Sequence, residues 1–221
     1  MDRLAREKLF ETLMLGDWTK HVGCAETRCG EGSTLKQTAI IRKHIPMLVE
    51  VYGIGSILDL PCGDCSWISH IWPKLRGLGV SYIGGDISKE NIRIAGRRMP
   101  GADIRQLCAI EDFLPKVDLI FCRDLLCHLS EADAKATIAN FKLSQSAWLA
   151  ATTFPGNATR TGTSYPGYME TGNWTALDLE APPFRFPVPE QLINEGCTEL
   201  DTLGWGYTHK SIGLWKLSAL P

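Results

Sequence analysis

The apolar positions of the chain alternate between two periods. Runs that are apolar almost throughout recur at 56–60, 80–85, 117–122 and 147–153, with a weaker one at 104–108. Between them, apolar residues return every three or four positions. Short unbroken apolar runs suit strands buried on both faces, and the intervening spacing suits helices. The alternation therefore predicts a parallel, doubly wound α/β sheet with five strands in its first part.

The helical segments carry their own punctuation. Leu4, Leu9, Phe10 and Leu13 predict a short helix over 2–14. A second opens at Thr34, where Gln37 completes a capping-box pattern, and Ile40, Ile41, Ile45, Leu48, Val49 and Tyr52 form its stripe. Pro46 should kink that helix, and the glycines at 53 and 55 should end it. A third runs from about 66 to 75 with Trp67, Ile68, Ile71 and Trp72 inward. Ser88 caps a fourth, in which Ile92 and Ala95 face the core while Arg93, Arg97 and Arg98 stay in water. Ser130 and Asp133 open a fifth, whose inner face is Ala134, Thr137, Ile138 and Phe141.

After Phe154 the pattern breaks. Residues 155–189 are rich in proline and glycine yet hold Tyr165, Tyr168, Trp174, Phe184 and Phe186. So long a connection is usually functional, and its aromatic content argues against disorder. A short helix is expected at 190–194. Runs at 200–205 and 211–217 then read as an antiparallel hairpin that closes the sheet. The whole chain, 1–221, reads as one domain with an N-terminal helix and loop (1–33) and a substrate-side insertion (155–189).

Composition narrows this picture without redirecting it. A chain of 221 residues with 44% hydrophobic and 22% charged residues suits a globular domain. A formal net charge of -2 argues against holding a nucleic-acid backbone by bulk electrostatics. No apolar run is long enough to span a bilayer, and the charged, amphipathic start lacks the core of a signal peptide. Of the 8 cysteines, Cys108, Cys122 and Cys127 sit in apolar surroundings like small hydrophobes. A reducing, cytoplasmic setting is expected.

The chemistry concentrates in Ser56-Ile-Leu-Asp-Leu-Pro-Cys-Gly-Asp-Cys-Ser-Trp67 and Tyr82-Ile-Gly-Gly-Asp86-Ile87. Strand, glycine turn, helix, second strand and terminal acid make a nucleoside-binding βαβ unit, with Gly63 and Asp86 roughly 20 residues apart. Asp86 can accept from a ribose diol, Gly63 lets backbone approach a ligand, and Ile87 can pack on an adenine. A dinucleotide needs three glycines in the turn to cradle a pyrophosphate. Pro61 and Cys65 occupy the outer two positions here. S-adenosylmethionine has no phosphate and offers an ammonium that Asp59 can hold, so it is the better fit.

With these motifs the chain resembles class I S-adenosylmethionine-dependent methyltransferases, in particular a subfamily with the Asp-Leu-Pro-Cys-Gly-Asp motif seen at 59–64. Cys122-Arg-Asp-Leu-Leu-Cys-His-Leu-Ser130, Thr152-Thr-Phe-Pro155 and Ser211-Ile-Gly-Leu-Trp-Lys216 extend the likeness from about Gly30 onward. It implies the seven-stranded fold of that class. It also implies a cofactor site built from Asp59, Pro61, Gly63, Trp67, Asp86, Ile87, Cys108, Ala109 and Arg123. Arg123 would lie at the methionine end. Cys108 stands where such proteins often carry an acid for the adenine, and Glu111 or Asp112 would have to substitute.

Methyl transfer to an alcohol needs the acceptor positioned and its proton removed. Asp124, directly after the fourth strand, and His128, one turn later, are the candidate bases. Asp124 with Asn157 could also hold a Mg²⁺, but nothing else completes that site. The aromatic 155–189 segment suits a flat or sugar acceptor, and the turn at 30–34 can fold over the cofactor from the other side. Chains resembling this one occur beside or fused to glycosyltransferases, which implies a glycan or small-molecule hydroxyl as acceptor. Three other readings compete. One is a nucleobase acceptor, with Arg93, Arg97 and Arg98 as a phosphate patch. Another is a non-catalytic S-adenosylmethionine-binding module. The last is a redox or zinc role for Cys62-Gly-Asp-Cys65.

Overall fold

A computed structural model of the protein describes residues 1–16, 26–156, 170–172, 174–197 and 207–221. Its helices are α1 (Arg3–Leu15), α2 (Ala39–Tyr52), α3 (Trp72–Gly77), α4 (Lys89–Arg98) and α5 (Glu131–Leu143). The strands are β1 (Ser56–Asp59), β2 (Ser81–Asp86), β3 (Asp103–Gln106), β4 (Leu119–Cys122), β5 (Trp148–Thr153), β6 (Gln191–Asn194) and β7 (Ser211–Lys216). They form a seven-stranded sheet in the order β3-β2-β1-β4-β5-β7-β6. β1 to β5 run parallel, and β7 enters antiparallel between β5 and β6.

Successive side chains of a strand point to opposite faces, and the two cores divide accordingly. Leu58, Ile120, Cys122, Leu149 and Trp215 join one cluster with Phe10 of α1 and Phe141 of α5. Ile57, Leu119, Phe121, Ala150 and Leu214 join the other with Ile41, Ile45 and Val49 of α2 and Leu75 of α3. The apolar runs at 56–60 and 117–122 therefore are the sheet's centre. Ser88 and Ser130 cap α4 and α5 by accepting from Asn91 N and Asp133 N. Gly53, with φ of 61°, ends α2 in the left-handed conformation.

Four local expectations need correction. α2 begins five residues after Thr34. Thr34 does accept from Gln37 N at 3.3 Å, and its carbonyl accepts from Thr38 N at 3.0 Å, but residues 35–38 form turns before the regular helix begins. The helix expected over 66–75 is split into a 3-10 turn (Ile68–His70) and α3, which restarts around Pro73 in its first turn. Residues 191–194 form strand β6 rather than a helix. Ile193 pairs with Ile212, and so short a segment shows no period that could tell the two apart. The hairpin partner of β7 is this strand, and the run at 200–205 lies outside the described residues. Finally, Arg98 is not a solvated residue. It pairs with buried Asp64 at 2.9 Å and donates to Glu26 O.

The 155–189 segment divides in two roles. Leu177, Leu179, Phe184 and Phe186 are core residues, tied to β5 by Phe154 N donating to Leu177 O at 2.8 Å. Trp174 faces a cavity. Tyr165 and Tyr168 are outside the described residues. Among the described residues, no helix is long and apolar enough to cross a membrane.

Candidate active site

A cavity of about 570 Å³ opens where the carboxyl ends of β1, β2 and β4 meet. That end of an open parallel sheet, where strand order reverses between β1 and β4, is where such folds bind ligands. Asp59, Pro61, Gly63, Trp67, Asp86, Ile87, Arg123, Asp124 and His128 all line it. Cys108 and Ala109 line a separate cavity of about 30 Å³, which shares Pro61, Ile87, Leu125 and Phe10 with the first.

Local register explains the cofactor-side geometry. Asp59 pairs with Gly84 across β1 and β2, so Asp86 projects two residues beyond it. The turn after β1 folds back onto that acid. Gly63 N donates to Asp86 Oδ2 at 3.0 Å, and Ser88 N donates to Oδ1 at 2.8 Å. Gly63 has φ of 57°, and a Cβ there would lie 2.6 Å from Cys29 Sγ. Glycine is thus required both by conformation and by the thiol packed on it. Asp59 accepts from Tyr82 Oη at 2.6 Å. Burial is the main force on both acids. It pushes Asp59 up to about 7 and Asp86 up to about 6.

Asp64 serves a different end. Its carboxylate accepts from Thr27 Oγ1, Arg28 N and Ser66 N and pairs with Arg98. This fastens the 26–34 segment across the cavity mouth, with Cys29 and residues 30–33 lining it. α1 closes another wall through Phe10 and Met14. It is held there by Arg6, which pairs with Glu111 and Asp133, and by Arg3, which pairs with Asp112. Glu111 and Asp112 are thus engaged by α1 and absent from both linings, while the second oxygen of Asp112 accepts from Cys108 N at 2.9 Å.

The other half of the cavity is built from distant charges. Asp124 adopts a left-handed φ of 55°, a conformation aspartate tolerates better than most residues. Its Oδ2 accepts from Lys210 Nζ at 2.6 Å and lies 3.1 Å from Arg123. Burial alone would raise this carboxyl, but Arg123 and Lys210 together hold it well below the usual carboxylate range. Arg123 donates to Glu195 Oε2 at 2.6 Å and to Gly32 O at 2.8 Å, and its guanidinium lies 5.8 Å from the Trp67 ring centre. Trp174 and Tyr207 stack with centroids 5.0 Å apart, and Phe154 meets both edge-on. Lys210, Glu195 and Tyr207 went unread in the sequence, and α1 was expected as a helix but not as a wall of this cavity. A single lysine or glutamate in a polar stretch has no local signature.

Two competing readings lose their geometry. Of the arginines on α4, Arg98 is bound to Asp64 and Arg93 pairs with Glu90, which leaves little of a phosphate patch. Cys62 and Cys65 are buried free thiols. A hydrogen bond with Cys65 and burial push the Cys62 thiol up, the opposite of what a redox Cys-x-x-Cys needs. Among the described residues, no three His, Cys, Asp or Glu side chains converge to hold a metal ion.

Parallel β1 to β5 with an antiparallel β7 slotted before β6 make this the class I methyltransferase fold. Several solved structures resemble it. Magnesium protoporphyrin IX methyltransferase (ChlM) from Synechocystis PCC 6803, solved with bound SAH, aligns over 75% of this chain and 80% of its own, with 16% identity and a TM-score of 0.51. The methyltransferase domain of bacterial-CtHen1-C aligns over 54% of this chain at 14% identity and a TM-score of 0.45, and just under two thirds of that chain (66%) is covered. The sugar N-methyltransferase KedS8 from Streptoalloteichus sp ATCC 53650 aligns over 55% of this chain and 49% of its own, at 15% identity and a TM-score of 0.45. At such identities the likeness concerns the fold. No protein-family model matches the chain, and no curated protein sequence does.

Proposed function

We propose that the protein binds S-adenosylmethionine and transfers its methyl group to a hydroxyl of a sugar, glycan or other small acceptor. One observation carries this reading. Two buried carboxylates, Asp59 and Asp86, face a cavity whose turn lacks the outer glycines of a phosphate cradle. Carboxyls pushed up by burial are relieved by a ligand that brings positive charge, which suits an ammonium and a sulfonium. The ChlM likeness supports the same cofactor class.

When bound, S-adenosylmethionine supplies a methyl group activated by its sulfonium. Asp86 would hold the ribose hydroxyls and Asp59 the ammonium. Pro61, Gly63, Trp67 and Ile87 would form the walls, and Cys108 and Ala109 the adenine end. Arg123 has Glu195, Asp124 and Gly32 as partners, which favours a framing role over a clasp for the methionine carboxylate. The acceptor base is His128 rather than Asp124. A carboxylate held down by Lys210 and Arg123 has little affinity for a proton, which leaves His128, lining the same cavity, as the base. The Trp174–Tyr207 stack offers an aromatic face for a sugar or other ring.

Calorimetry with S-adenosylmethionine and with NAD tests the cofactor, and failure to bind the methyl donor under reducing conditions removes the proposal. A screen of methyl transfer onto glycans, nucleotides and nucleic acids then identifies the acceptor class. On that acceptor His128→Gln should lower turnover by roughly 100-fold and leave S-adenosylhomocysteine affinity within about twofold. Full activity in the variant would remove His128 as base.

A further inference from the structure

The charge cluster at the end of β4 lies directly beneath the turn at 30–33. Arg123 donates to Gly32 O at 2.8 Å, and a Cβ built on Gly32 would lie 3.4 Å from both Asp124 Oδ2 and Lys210 Nζ. Ser66 Oγ also donates to Ser33 O at 3.2 Å. The turn therefore rests on an ion pair rather than on apolar side chains, and it lines the same cavity as Asp59 and Asp86. Behind this seat stand two residues from the far edge of the sheet. Lys210, 2% exposed, precedes β7 and holds Asp124 at 2.6 Å. Glu195, 3% exposed, follows β6 and holds Arg123 at 2.6 Å. Backbone joins the two, because Glu195 N donates to Lys210 O at 2.9 Å. Glu195 Oε1 is buried without a hydrogen-bond partner, a cost tolerated where the other oxygen is strongly engaged.

We propose that Lys210 and Glu195 are positioning residues that, through Asp124 and Arg123, seat the 30–33 turn over the cofactor cavity and so retain the bound cofactor. The inference rests on the reading that this cavity takes S-adenosylmethionine. Glu195 lies behind the cavity lining, and Lys210, which lines the cavity at its Asp124 end, is engaged by Asp124, so their effect falls on how fast the cofactor leaves. Opposite charges close each pair, and together the four side chains balance to zero. Removing one member tilts the rest away from Gly32 without emptying the core, because Asp124 keeps Arg123 when Lys210 is lost.

The test uses S-adenosylhomocysteine as probe and follows its release by stopped-flow tryptophan fluorescence, since Trp67 and Trp174 line the cavity. Lys210→Met and Glu195→Gln should each speed release by about tenfold, about 1.4 kcal/mol, while Lys210→Arg restores the slow rate. Gly32→Val leaves every charge in place yet cannot seat, and should speed release to a similar degree. Combined with Lys210→Met it should add little, because both changes unseat the same turn. A folded Lys210→Met or Gly32→Val protein that releases the probe at the wild-type rate overturns the proposal, as does full additivity. Amide hydrogen exchange at 32–34 needs no ligand and should quicken in Lys210→Met while strand amides stay protected. Faster exchange without any binding of the probe by the wild-type protein would retain the seat and reject the cofactor reading; unchanged exchange with intact binding would do the reverse.

Discussion

The cavity holds two kinds of acid. Asp59 and Asp86 stand buried at the ends of β1 and β2 with hydrogen-bond donors around them, and burial pushes them up to about 7 and about 6. Asp124, half-buried at the end of β4, is also desolvated but is held down by Arg123 and Lys210. One half of the site lacks positive charge and is completed by a ligand that brings it. The other half neutralises itself and spends its charges on holding loop to sheet. A carboxylate's job is decided by which cations the fold brings to it, and residue type alone does not distinguish the two.

The comparison is tested most severely at Asp86. Asp86→Ala removes the ribose acceptor and leaves Gly63 N and Ser88 N without their partner, so S-adenosylhomocysteine affinity should fall by roughly 100-fold. Calorimetry at neutral pH reads this directly, and unchanged affinity would mean the nucleoside lies elsewhere.

Next in size is the pH response, where the two kinds of acid should separate. Asp59 and Asp86 titrate higher in the folded protein than in the unfolded chain. Between about pH 4 and 7 the empty folded state therefore keeps protons that the unfolded chain has released. That contribution to stability is fully present below about pH 4 and fades as pH rises through 6 and 7. Ligand binding should run the other way, because an ammonium at Asp59 and hydroxyl donors at Asp86 would both favour the ionised acids. S-adenosylmethionine affinity should climb with pH by up to about tenfold per unit for each proton released, then level off above about 7. Isothermal titration in buffers of different ionisation heat would show the released protons. Asp124 should add nothing to this response, since its partners keep it ionised throughout. A flat affinity from pH 5 to 8 would erase the distinction drawn between the two halves.

The smallest effect is expected at Arg93. Its pair with Glu90 is exposed and lies outside both halves, so Arg93→Ala should leave melting temperature and cofactor affinity unchanged. A measurable loss of nucleic-acid binding in that variant would instead revive α4 as a phosphate-facing surface.

Much of the cofactor half was legible in the linear chain, because its parts are close in sequence. The apolar run at 56–60, the glycine at 63 and the acid closing 80–86 lie within one βαβ unit, and the β1–β2 register brings them together. Hydrophobic period also located β4, β5 and the inner face of α5. It misjudged 191–194, where four residues hold too few apolar positions to show whether they coil or extend. It also placed the start of α2 at the Thr34 capping pattern, where the cap bonds do form but turns over 35–38 come before the regular helix.

By itself, then, the sequence determined the central sheet, the turn that lacks the outer glycines of a phosphate cradle and the two acids that close β1 and β2. Only the tertiary structure decided that Asp124 would be a paired and quiet carboxylate, that Arg98 would lock Asp64, and that α1 would wall the cavity. The reason is physical. Backbone period and turn chemistry act over a few residues and leave a readable trace. A salt bridge between Asp124 and Lys210 spans 86 positions and exists only once β4 and β7 share one sheet.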